Sequence, residues 1–86
     1  MSRDQCAVPS TLAEAHEVLW RERPARGADL RELVAFHRRS AEVYSQVAQI
    51  DLRHKYEAQQ CAGLEIRKAR GFEERLDPSL VEGDDW

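Results

Sequence analysis

The sequence predicts an all-α protein, and three observations lead there. The interior from Asp29 to Leu76 holds no proline and is rich in Ala, Glu, Gln, Arg and Leu, all good helix formers. Apolar residues recur at spacings of three and four rather than two. Gly and Pro number only 4 and 3 in 86 residues, too few for the turns of a small β protein. The length allows one domain.

Residues 1–9 show no periodicity and read as a lead-in ending at Pro9. A helix start stands at Ser10-Thr11-Leu12-Ala13-Glu14. Ser10 or Thr11 can accept a hydrogen bond from a free backbone N–H, and Glu14 completes a capping box. Leu12, Ala15, Val18 and Leu19 fall on one face, and Trp20 closes the helix as a packing residue. Pro24 stops it near Glu22, so the first helix spans about 11–22. Arg23 to Ala28, with Gly27, forms a connection.

Asp29-Leu30-Arg31-Glu32 is a second start, with Asp29 as cap. Only Gly63 and Gly71 interrupt the helical pattern beyond it, and Asp77-Pro78 ends it. The expectation is one very long second helix over about 30–76, roughly 70 Å at 1.5 Å per residue. Its apolar positions make two adjacent stripes. One runs through Leu33, Phe36, Val43, Val47, Ile50, Cys61 and Leu64. The other runs through Leu30, Val34, Ala41, Tyr44, Ala48, Leu52, Ala58, Ala62, Ile66, Ala69 and Leu76. Together they are wider than a two-stranded coiled-coil seam and ask for two partner helices.

The short first helix covers less than a third of such a rod. Water over the rest would forfeit about 1.5–3 kcal/mol per large side chain. Self-association resolves the mismatch: a helical hairpin completed by a second copy, two long helices packing as a homodimer. Leu33, Val43, Val47, Ile50 and Leu64 are the expected interface residues. The rival is a bent long helix that gives a three-helix monomer, with the bend near Gly63 or between Ser45 and Asp51, where no breaker stands.

The net charge of −3 is uneven. Residues 1–28 balance four bases against four acids, and residues 29–76 carry nine bases and eight acids. Residues 77–86 hold Asp77, Glu82, Asp84 and Asp85 without a base. The chain therefore divides into a nearly neutral helical domain, 1–76, and an acidic tail, 77–86, whose terminal Trp86 makes it a candidate recognition segment. Arginines near the connection (Arg21, Arg23, Arg26) and near the end of the long helix (Arg67, Arg70) are interleaved with Glu. With a pI near 5.6, no phosphate-tracking surface is expected. A DNA-associated accessory role is the third reading. No apolar run is long enough to span a membrane, and the N-terminal residues lack a signal-peptide pattern, so a cytoplasmic setting is expected.

Few constellations carry chemistry. Asp51-x-x-His54-x-x-Glu57, with Cys61 beyond, interrupts the stripes and puts a carboxylate and an imidazole on one helix face. Bundle proteins ligate iron with such pairs, so a ferritin-like half-bundle using Asp51, His54 and Glu57 across a dimer is the second reading. The bland reading is a half-buried polar layer in which His54 bonds a carboxylate. His37 and Ser40 share a face without an orienting acid or oxyanion hole, so His37 reads as packed at the hairpin interface. His16 could approach it. Cys6 and Cys61 form no metal-binding or redox spacing. No enzyme activity and no cofactor are expected. The first reading is thus a non-enzymatic interaction or regulatory protein, with an unidentified protein partner also open to it.

The stretch from Phe36 to Ala48 (FHRRSAEVYSQVA) and the adjoining Asp51-x-x-His54-x-x-Glu57-Ala58 resembles a group of small actinobacterial proteins of uncharacterised function. The resemblance covers about half the chain. It implies an intracellular bacterial setting and brings no activity or site.

Overall fold

The computed structural model describes residues 9–77. Within them the chain forms three α-helices, α1 (Leu12–Glu22), α2 (Leu30–Ile50) and α3 (Lys55–Leu76), with a 3₁₀ turn, Leu52–His54, between the last two. The all-α class stands, and both helix starts lie where expected. Thr11 caps α1 by accepting from the Glu14 N–H at 3.1 Å. The Glu14 carboxylate reaches one residue further back than a simple capping box, taking the Ser10 N–H at 2.9 Å. Asp29 caps α2 through the Glu32 N–H at 3.0 Å. In the connection, Gly27 adopts φ +86°, a left-handed conformation costly for any residue with a Cβ.

The single rod over 30–76 is not what forms. The chain folds back at Asp51, so α2 and α3 are separate helices packed antiparallel, as the pairing of His37 with Glu65 and of Arg38 with Glu73 requires. This is the bent, three-helix alternative. The reason lies in tertiary contacts rather than in a breaker. Asp51 keeps its N–H on the Val47 carbonyl (2.8 Å) and offers its own carbonyl to the His54 N–H (3.0 Å). Its carboxylate Oδ2 takes the Leu12 N–H at 3.0 Å and lies 3.0 Å from His54 Nδ1. One aspartate thus turns the chain and caps the first turn of α1. A few backbone bonds are lost, each worth about 0.5–1.5 kcal/mol net. Folding back buries Tyr44, Val47 and the alanines of both helices, a gain of about 1.5–3 kcal/mol for each large side chain covered.

The seam between α2 and α3 is built on small residues. Ala41 and Ala48 stand seven apart on α2, as do Ala62 and Ala69 on α3, with Ala58 four residues before Ala62, all buried. Alanine lets the two backbones approach closely, leaving Tyr44 and Val47 as the bulky members of the seam. Antiparallel to α2, α1 adds Ala15 and Leu19 to the cluster. Arg39 and Glu22, 3.0 Å apart, tie its far end.

Candidate functional site

Because α1 is only half as long as α2, it cannot close over the hairpin. It leaves a cleft of about 590 Å³ lined from all three helices. Leu19 and Trp20 of α1 and Phe36 of α2 make an apolar wall, and His16, His37, Tyr44, Glu65 and Lys68 supply the polar groups.

Each polar group has a structural cause. Packing in the core brings Tyr44 beneath α1, where its hydroxyl lies 2.8 Å from His16 Nδ1, the two rings meeting edge-on. Burial, with the Cys61 thiol and the Glu65 carboxylate nearby, pushes the Tyr44 phenol up to about 12, so it stays protonated at any physiological pH. His37 Nδ1 lies 2.5 Å from Glu65 Oε1, both side chains half-buried. The imidazole is sandwiched by aromatics, edge-on to Phe36 and stacked at 18° on Phe72. Glu65 uses its second oxygen on Lys68 Nζ at 3.3 Å. At the mouth, the Arg23 guanidinium lies 3.6 Å over the Trp20 ring and donates to the Trp20 carbonyl at 2.6 Å.

His37 thus packs between α2 and α3, against Glu65 and Phe72, where the sequence placed it at a hairpin between the first helix and one long second helix; it shares the cleft with His16. Trp20 departs from expectation: it is 65% exposed, with a cation on its face instead of a core around it. Sequence reasoning missed the cleft because Glu65 and Lys68 lie far along the chain from His16 and His37. The only prior signal was the cluster of aromatic and imidazole side chains on α2.

Asp51 and His54 do come together, but as a corner. Hydrogen bonds from the Leu12 N–H and from His54 hold the Asp51 carboxyl below its usual range. His54 and Glu57 are exposed, and the described residues contain no group of three His, Cys, Asp or Glu side chains placed to hold a metal ion. Cys61 is a free thiol, raised by burial and by the Glu65 and Glu57 carboxylates against an opposing pull from Lys68.

The expected interface residues divide. Val47 is 0% exposed, used up by the chain's own core. Leu33 and Val43 are half-buried, Val43 against that core. Ile50 and Leu64 are about half exposed. Trp86 and the acidic tail beyond Asp77 lie outside the described residues, as does Cys6. Leu52 and Tyr56 are more open still, at 69% and 78% exposed, and Ile66 and Leu76 along α3 are exposed to a lesser degree. No helix among the described residues is long and apolar enough to cross a membrane. Comparison of the chain with protein-family models, with curated proteins and with solved structures finds no match.

Proposed function

We propose that this chain is a small, non-enzymatic helical interaction protein of the bacterial cytoplasm that works as a homodimer. The observation that carries this reading is the mismatch between its inside and its outside. The seam is mostly alanine, whereas Ile50, Leu52 and Tyr56 stand exposed within seven residues of chain at the α2–α3 corner. Leu64, Ile66 and Leu76 extend the exposed apolar set along α3. A small domain gains little by leaving its larger side chains in water, and an isologous contact covers the same set twice. The uncovered rod, as a reason for self-association, gives way to a folded three-helix unit whose corner and outer α3 face do the associating. The resemblance of residues 36–58 to small actinobacterial proteins supports the cellular setting.

Light scattering of the full chain across the micromolar range tests this. The expected result is a mass of twice 9.9 kDa. The double variant Leu52→Ser, Tyr56→Ser should return it to the monomer with helix content retained, because both side chains are exposed. A wild-type chain that stays monomeric would sink the proposal.

A further inference from the structure

The connection between α1 and α2 gathers positive charge that its immediate surroundings do not answer. Arg21, Arg23 and Arg26 line a surface pocket of about 560 Å³ with Pro24 and Ala25, and no carboxylate lines it. The asymmetry is local and follows from how the neighbouring acids are spent. Glu22 is held by Arg39 at 3.0 Å and Glu17 by Arg21 at 3.3 Å. Asp29 accepts from the Glu32 N–H as the cap of α2, and Glu73 is bonded by Arg38. Arg23 donates to the Trp20 carbonyl and lies over the Trp20 ring, which leaves it further N–H groups. Among the described residues neither Arg23 nor Arg26 has a carboxylate partner.

The chain carries a counter-charge within reach. Glu22, next to Arg23, and Glu73, four residues before Asp77, meet adjacent residues of α2, Arg39 and Arg38. The end of α3 and the arginine pocket therefore stand at the same end of the bundle. Residues 78–86 lie outside the described residues, and they hold Glu82, Asp84 and Asp85 and no base. At ~3.3 Å per residue, the chain from Asp77 to these acids reaches at most about 17–26 Å. The two shorter dimensions of the molecule are 27 and 18 Å, so the pocket lies inside that reach. The exposed corner at Leu52 and Tyr56 does not, because the length of α3 sets it about 30 Å away.

We propose that the acidic segment 82–86 seats on the arginine pocket of its own chain. Glu82, Asp84 and Asp85 accept from the free N–H groups of Arg23 and Arg26, and Trp86 packs on Pro24 and Ala25. This is an acidic motif read by an arginine cluster. Exposed ion pairs are weak singly. The tether offsets this by holding the acids near the pocket at an effective concentration on the order of millimolar. A pocket covered in this way admits another acidic segment only if that segment displaces the tail. Self-association is a separate matter, since its surface lies at the opposite end of the bundle.

The test compares amide spectra of the ¹⁵N-labelled full chain with those of the triple variant Glu82→Gln, Asp84→Asn, Asp85→Asn, whose changes lie outside the three helices. The expected result in low salt is a set of shift differences over residues 20–27, apart from those in the tail itself. These differences should shrink about twofold or more between about 20 mM and about 500 mM NaCl, as the Debye length falls from about 20 Å to about 4 Å. The double variant Arg23→Gln, Arg26→Gln should in turn move the signals of residues 82–86. The absence of differences over residues 20–27 overturns the proposal. Differences centred on Arg31, Arg67, Arg70 or Arg75 overturn it too, because the tail would then follow arginines in general. The contact should persist in Leu52→Ser, Tyr56→Ser, the variant expected to be monomeric. Its loss there would put the tail on a second copy and overturn the assignment to one chain. Its persistence supports that assignment even if the wild-type chain is itself monomeric, so this proposal and the homodimer fail separately.

Discussion

The two joints of this molecule are made of different materials. Between α2 and α3 runs a dry seam of alanines around Tyr44 and Val47, reinforced at its open end by Arg38 bonding both oxygens of Glu73 at 2.6–2.9 Å. By contrast, α1 is held by two buried apolar residues, Ala15 and Leu19, and by polar tethers: the Leu12 N–H on Asp51, His16 on Tyr44 and Glu22 on Arg39. A seam of small side chains tolerates no added volume or charge. A joint of tethers can let go one contact at a time. The difference teaches that α2–α3 is the folding unit and α1 an element docked on it, which is why the cleft opens beside α1.

The largest effect should come from breaking the seam. Val47→Asp puts an unpaired charge at a position with no exposure, a cost of about 3–5 kcal/mol, enough to abolish cooperative unfolding in urea monitored by circular dichroism. A loss under 1 kcal/mol would show that the seam is not the core. Next comes Leu19→Ala, expected to cost about 2–4 kcal/mol at the α1 joint. Its signature in amide hydrogen exchange separates the joints: protection falls over residues 12–22 while residues 41–48 and 58–69 keep theirs. Uniform loss across all three helices would instead make the molecule one cooperative unit.

The smallest effect is confined to acid. The Asp51 carboxyl is depressed below 3.8 in the fold. Its contribution is therefore fully present above that value and is lost as pH falls through the lower folded value. Wild-type protein should lose melting temperature below about pH 4, and part of that slope should disappear in Asp51→Ala. Identical acid slopes in the two proteins would mean that the corner bonds do not hold α1 in solution.

Helix starts and stops were legible because they rest on local chemistry: Thr11 and Asp29 as caps, Pro24 after the first helix, Asp77 at the end. The fold-back at Asp51 was not, because no Gly or Pro marks it and every residue from 45 to 58 is acceptable in a helix. The trace it left was the polar interruption Asp51-x-x-His54, whose spacing suits a metal pair and a corner equally well. Only the proximity of Leu12, thirty-nine residues away, separates the two. The alanine rhythm was visible too, but Ala41 to Ala69 reads alike whether the partner helix belongs to the same chain or to another copy. Trp20 illustrates a third limit of periodicity: its position on α1 suits packing, and its exposure depends on how little of the hairpin α1 covers.

The central claim is that residues 30–76 fold back within one chain. Nuclear Overhauser contacts between the His37 and Phe72 rings, whose centroids lie 5.6 Å apart, test it most directly when recorded on a mixture of isotope-labelled and unlabelled chains. The expected result is contacts that survive selection for pairs within one labelled chain. In an unbroken helix the two residues would stand roughly 50 Å apart at 1.5 Å per residue. Contacts seen only between labelled and unlabelled chains would mean that the long helices pair across copies, and would contradict the three-helix unit.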